Sequence, residues 1–372
     1  MRVLHTSDWH LGRSFHRESL LSAQAAFVEH LVETVRAERV DVVVVSGDVY
    51  DRALPPVDAV ALCDEALARL KAEGVHTVLI SGNHDSSIRL GFGAGLMERV
   101  HLRTDPARAW DPVVIGDVAF YGIPYLEPEL VRGPWELAER THTAAITHAM
   151  ERIRADRSGR RKVVLAHAFV TGGEASDSER DISVGGVSHV PLAAFAGADY
   201  VALGHLHGRQ VMSETARYSG SPIAYSFSEA GQRKGSWLVD LDAGGPGDAR
   251  VGFVPAPVPR PVGTLSGRLD DLLTDARHAD REDHWLQVTL TDPVRPREAM
   301  ERLRRRFPHT LALAFKPDGP VAAPARPPRV AGRAEIDVAA DFVREVRGEP
   351  ADDEEIRLLG AAVEASRIKE SL

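Results

Sequence analysis

Short apolar runs alternate with helix-periodic stretches through the first half of the chain. "RVLHTSD" (2–8) reads as a strand. Residues 18–38 then place Leu20, Ala23, Phe27, Leu31 and Val35 at helical spacing. "VDVVVVSGD" (40–48) is apolar and β-branched, the pattern of a strand buried on both faces. Residues 55–74 open on proline and close on glycine, as helices do. "VHTVLISGN" (75–83) reads as the next strand, and more follow at 117–124, 162–168 and 198–207, with a helix around 134–155. This alternation predicts an α/β fold, a parallel or mixed sheet covered by helices.

The pattern changes near residue 255. A proline-rich connection, 255–264, leads into strand, helix, strand, helix and strand again, a small α+β module assigned to 256–318. Residues 319–334 are rich in proline, glycine and alanine and read as a linker. The last segment, 335–372, reads as two short helices broken at Gly348-Glu349-Pro350, with Asp352 and Glu355 spaced as a capping box. Val343 and Val346 on the first helix, and Ile356, Leu359 and Val363 on the second, give each an apolar stripe. Short helices with narrow apolar faces need a surface to dock on. The expected division is therefore 1–242, 256–318, 319–334 and 335–372.

Polar residues concentrate where the predicted strands end. The blocks are "DWH" (8–10), "GDVYD" (47–51), "GNHD" (82–85), "AHAF" (166–169) and "GHLHG" (204–208). Open α/β sheets carry their sites at the carboxyl ends of strands, so these blocks are expected to meet in one cleft. In D-x-H on an extended strand end, period two points both side chains the same way. The mix of carboxylate, amide and imidazole suits Mn²⁺, Fe²⁺ or Zn²⁺ better than an all-oxygen set would.

Composition narrows the partners. The formal net charge of −9 excludes a basic protein that coats nucleic acid nonspecifically. Residues 335–372 hold five basic against eleven acidic residues, so DNA contact is not expected there. Two local basic clusters, 154–162 and 302–306, could still meet phosphates; in the second the candidates are Arg302, Arg304, Arg305 and Arg306. The single cysteine, Cys63, excludes an internal disulfide framework. The start has no apolar leader core, and the longest apolar run is too short to span a membrane, so a cytoplasmic protein is expected. The polar loop 171–186 lies between two ligand-bearing strands and is expected to frame the site.

The five blocks, in this order, resemble the calcineurin-like metallophosphoesterases. The resemblance implies a two-sheet sandwich flanked by helices and a centre of two divalent ions. Asp8, His10 and His207 would hold one ion, Asn83, His167 and His205 the other, and Asp48 would bridge them. Such ions can share a hydroxide that attacks phosphorus. His84 would protonate or hold the leaving oxygen, with the Asp51 carboxylate on its far ring nitrogen raising its pKa. Asp85 is expected to play a supporting part. "SDWHLGRSF" (7–15), "GDVYDRALPP" (47–56), "ERDISVGGVSHVP" (179–191) and residues 218–242 further resemble the SbcD family of bacterial nuclease subunits. That implies 3′–5′ exonuclease action on duplex ends and endonuclease action on hairpins, usually with Mn²⁺, though Mg²⁺, Fe²⁺ or Zn²⁺ are alternatives. It implies a DNA-contacting capping domain, a tail that docks on an SbcC-type coiled-coil ATPase, and a homodimer within a heterotetramer. A nucleotide or small-molecule phosphodiesterase or phosphatase of the same fold is the other reading.

Overall fold

The computed structural model describes residues 1–183, 189–242, 249–318 and 333–370, the side chains of 367–370 excepted. It divides into two compact units, Met1–Lys316 and Pro317–Leu372. The linker expected at 319–334 lies almost wholly outside the described residues.

Two six-stranded sheets make the body of the first unit. β1 (Arg2–Thr6), β2 (Val42–Ser46), β3 (His76–Ile80) and β4 (Val100–Arg103) run parallel in one of them. β5 (Val113–Ile115), β6 (Val118–Ile123), β7 (Arg161–His167), β8 (Tyr200–Gly204), β9 (Gln210–Val211) and β10 (Ala216–Tyr218) form the other, with order β9-β10-β8-β7-β6-β5. The single sheet expected from periodicity is thus two, because β6, β7 and β8 pair with one another and never with β1 to β4. Val3, Val42, Val44, Val78 and Ile80 face Phe120, Val163, Leu165 and Tyr200 in the core between the sheets. This explains why those strands lack polar alternation: helices cover the other face of each sheet. α1 (Leu21–Glu38) and α2 (Val57–Ala72) cover the first, and α3 (His142–Arg154) the second. α3 starts at 142, where the Thr141 side chain caps it by accepting from Ala144 N–H.

The first sheet does not end with residue 242. β11 (Gly235–Asp240) pairs antiparallel with β1, and β12 (Arg250–Pro255) pairs with β11. A small module follows with three parallel strands, β13 (Val262–Gly267), β14 (Trp285–Leu290) and β15 (Thr310–Phe315). α4 (Leu269–Thr274) and α5 (Ala299–Arg304) join them, and Leu269, Leu272, Leu286, Val288, Leu303 and Phe307 form their own core. A second small core fastens the module to the body: Phe15, Leu20, Ile223, Tyr225 and Phe227 pack with Val262, Trp285 and Leu311.

The described part of the second unit is a helical hairpin, α6 (Glu335–Arg347) and α7 (Asp353–Glu370). Gly348, with φ 81°, ends α6 in the left-handed conformation that glycine tolerates best. The capping box forms reciprocally: Glu355 N–H donates to Asp352 Oδ1 (2.8 Å) and Asp352 N–H to Glu355 Oε2 (2.9 Å). Val343, Leu359 and Val363 are half-buried within this hairpin, whereas Val346 and Ile356 are exposed, together with Phe342 and Leu358. No helix among the described residues is long and apolar enough to cross a membrane.

Candidate metal centre

All five motif blocks meet at the carboxyl ends of β1, β2, β3, β7 and β8, so the two sheets contribute jointly. The loops leaving β1 and β2 stay paired: Asp8 N–H donates to Gly47 O (3.0 Å) and His10 N–H to Asp48 O (2.9 Å). The D-x-H pair is not on an extended strand end. β1 stops at Thr6, and Asp8 and His10 both have positive φ, 54° and 44°. Left-handed turns aim these side chains. Asp48 (49°) and His205 (107°) share that conformation, which costs non-glycine residues on the order of 1–3 kcal/mol each and persists only where the surroundings impose it.

Three glycines allow the strand ends to approach so closely. A Cβ on Gly82 would fall on the Asp48 carboxylate, one on Gly47 on the His167 ring, and one on Gly204 on the Ser46 carbonyl oxygen. Gly82 does not have a positive φ, and its function is clearance for Asp48.

The ligand atoms form two groups. Asp8, His10 and His207 come together in one, with His10 Nε2 3.0 Å from His207 Nε2. In the other, Asn83 Oδ1 lies 2.9 Å from His167 Nε2 and 3.2 Å from His205 Nδ1. Asp48 stands between them, its Oδ2 3.6 Å from His10 Nε2 and 3.5 Å from His167 Nε2. Its other oxygen accepts from His84 N–H (2.9 Å). Asp8, His10, Asp48, His167, His205 and His207 are all buried.

This donor set fits cations. His167 Nδ1 faces the Ser46 carbonyl oxygen (2.9 Å), which can only accept, so the proton sits there and Nε2 presents its lone pair inward. The inward atoms are thus oxygen and nitrogen lone pairs facing one another. The electrostatics agree. Burial, with Asp48 nearby, raises Asp8 to about 7. Burial also works against the charged form of Asp48, yet His167, His10 and His84 outweigh it and hold that carboxyl well below its usual range. Burial opposes charge on His167 too, but Asp48 and Asp8 outweigh it and push the ring to about 9, so without a cation a proton occupies the inward Nε2 lone pair. Two buried carboxylates draw positive charge into the site, the role that divalent ions fill.

A scan against protein-family models matches residues 1–209 to the calcineurin-like phosphoesterases. The chain is a calcineurin-like phosphoesterase. Its family chemistry is hydrolysis at phosphoester bonds. A second model, for the SbcD C-terminal domain and described as the type 5 capsule protein repressor C-terminal domain, matches residues 258–347 of the phosphoesterase. The two matches agree with the resemblance to the SbcD family. Among solved structures, an archaeal phosphodiesterase is 12% identical, with 68% of this chain and 100% of that chain covered, at a TM-score of 0.33. A dimetal phosphatase from Danio rerio is 14% identical over 69% and 99%, at 0.39. Scores this low add nothing to the family assignment.

One expected contact is different in the phosphoesterase. His84 Nδ1 meets the backbone carbonyl of Asp51 (2.7 Å), not its carboxylate. The carbonyl still fixes the tautomer, with Nδ1–H donating and Nε2 bare. The carboxylate instead turns to His10, with Oδ1 3.6 Å from Nδ1, and to Arg13, 3.5 Å away. Lacking that carboxylate, His84 is not raised: burial lowers it to about 4, against the pull of Asp48. Asp85 is a fastener. Its carboxylate accepts from Gly82, Val49 and Tyr50 N–H (2.9, 3.1 and 2.9 Å), locking the β3 turn to the β2 turn.

The basic cluster at 302–306 is largely occupied within its own module. Arg302 pairs with Asp270 (2.5 Å), and Arg306 with Glu282 (3.0 Å) and the Leu272 carbonyl. Arg304 donates to the Thr310 carbonyl, and Arg305 lies 3.8 Å from Glu301. The reading of the motifs missed a different group, Ser178, Glu179, Glu229 and Lys234, which surrounds His207. Ser178 and Glu179 lie in the polar loop 171–186 that was expected to frame the site, and Glu229 and Lys234 in the stretch 218–242, but neither stretch shows in the sequence which side chains reach His207.

Proposed function

We propose that this phosphoesterase is a metal-dependent DNA nuclease of the SbcD type, a 3′–5′ exonuclease and hairpin endonuclease. The observation that carries the site chemistry is Asp48, poised between two complete ligand groups. Asp8, His10 and His207 would hold one divalent ion and Asn83, His167 and His205 the other, with Mn²⁺ the expected metal. Ions bound there supply an activated water and neutralise the phosphoryl oxygens at neutral pH. His84 faces the leaving oxygen with Nε2. A phosphodiester in the cleft adds negative charge, which favours the protonated ring that can donate there. Asp51 acts through His10 and, by its carbonyl, through His84.

The match at 258–347 supports DNA as substrate. Three arginines stacked on aromatic rings support it too. Arg209, two residues beyond His207, stacks on Phe253 (4.3 Å), with Arg217 over Trp237 (5.7 Å) and Arg233 over Phe253 (5.9 Å). None of the three forms an ion pair with a described carboxylate, so their charges are available to phosphates, unlike those of Arg302 and Arg306. The homodimer reading draws on exposed apolar residues at and after α2: Val57 (82% exposed), Ile88 (86%), Phe92 (85%) and Leu96 (91%). The exposed Phe342, Val346 and Leu358 of the tail hairpin suit docking on a coiled-coil ATPase. A buried free Cys63 fits a reducing, cytoplasmic setting.

The test is cleavage of linear and hairpin duplexes with Mn²⁺, with and without an SbcC-type ATPase and ATP. Cleavage that falls at least ~10²-fold in His84→Ala supports the reading. Turnover of cyclic nucleotides with no duplex cleavage would replace it by a small-molecule phosphodiesterase.

A further inference from the structure

His207 is held at every polar atom that does not face the cleft. Its N–H donates to Glu179 Oε1 (2.7 Å), and its carbonyl accepts from Lys234 Nζ (2.8 Å). Its Nδ1 meets Ser178 Oγ at 2.6 Å, and the same hydroxyl lies 2.5 Å from Glu229 Oε1. A hydroxyl has one proton. Given to the Glu229 carboxylate, it leaves Ser178 Oγ as an acceptor, so His207 carries its proton on Nδ1 and bares Nε2 toward His10. Glu229 is 1% exposed and pairs with Lys234, which is 6% exposed and also donates to Ser221 Oγ (3.0 Å) and Gln232 Oε1 (2.8 Å). A buried ion pair is a poor source of stability compared with apolar packing, so its placement calls for another role.

We propose that Ser178, Glu229 and Lys234 are positioning residues that fix the tautomer and aim of His207 as a metal ligand. The inference rests on the reading of His207 as a ligand. Ser178 belongs to the polar loop whose described part reaches residue 183, and Arg13 holds its carbonyl (3.1 Å). The loop is thereby wired to one metal position: displacing Ser178 releases His207 Nδ1, and occupancy of that position holds the loop in place.

The test is titration of the full metal-free chain with Co²⁺, read by visible absorption, and with Mn²⁺, read by calorimetry. Ser178→Ala keeps the Glu229–Lys234 pair and the fold, so thermal unfolding of the metal-free chain should match wild type. One of two metal equivalents should weaken by ~10–100-fold, with an altered Co²⁺ band, and Ser178→Thr should restore both. Ser228→Ala removes another tie of the same loop, the acceptor for Asp177 N–H (3.0 Å), and should leave affinity and band unchanged. Wild-type affinity and spectrum in Ser178→Ala would overturn the relay while leaving the metal centre standing. An equal loss in Ser228→Ala would overturn it too, since loosening of the loop would then explain the effect. A wild-type chain that binds neither ion would overturn the metal centre itself.

Discussion

The two halves of the metal centre are built by different means. The half with Asn83, His167 and His205 is held by backbone: His167 leans on the Ser46 carbonyl, and Gly47, Gly82 and Gly204 clear the space. The half with Asp8, His10 and His207 is steered by side chains, Asp51 behind His10 and the Ser178–Glu229–Lys234 chain behind His207. Strand backbone is rigid and local. Side chains from a polar loop can shift, so only the second kind of support couples a ligand to events at the surface. Asp48 belongs to both halves and makes them one site.

The largest expected break is in the backbone-held half. Gly82→Ala puts a methyl group into the Asp48 carboxylate, with no flexible neighbour to yield. Phosphodiester hydrolysis should fall ~10³-fold, since misplacing the shared ligand removes several kcal/mol of charge stabilisation. Near-wild-type rates in that variant would show that the close approach is not needed. Next comes the joint between the sheets. His5, buried in β1, lies 3.0 Å from Tyr200 Oη and 3.2 Å from the Leu203 carbonyl. Burial holds it at about 3, against 6.5 for an ordinary imidazole. The unfolded chain therefore takes up a proton between about pH 6.5 and 3 that the folded chain refuses. Stability from this group is whole above that window and falls as pH drops, by about 3 kcal/mol at pH 4. His5→Gln should flatten that acid loss in denaturant titrations; parallel curves would show that the pKa of His5 does not differ between the folded and unfolded chains. The smallest effect lies on the side-chain-steered flank. Arg209→Gln and Arg233→Gln should each lower the slope of log K against log salt for duplex binding by about 1. An unchanged slope with intact binding would move the DNA path elsewhere.

The difference between the halves also marks what could be read from the sequence. Each candidate ligand sits in a short block ending a strand, and its backbone support is local to that block, so order and spacing were enough to bring Asp8, His10, Asp48, Asn83, His167, His205 and His207 to one cleft. Whatever depends on the path of a loop was not legible. The Asp51 carboxylate turns from His84 to His10, and nothing in "GDVYD" fixes which ring it meets. The partners of Arg302 and Arg306, Asp270 and Glu282, lie 32 and 24 residues away. Glu229 and Lys234 carry no motif of their own and matter only because the fold brings them behind His207.

The central claim is a pair of ions joined through Asp48, and Mn²⁺ loading followed by electron paramagnetic resonance tests it most directly. Two Mn²⁺ per chain with an exchange-coupled spectrum is the predicted result, and Asp48→Asn should lose the coupling. A single Mn²⁺, or two that show no coupling in the wild-type chain, would contradict the account.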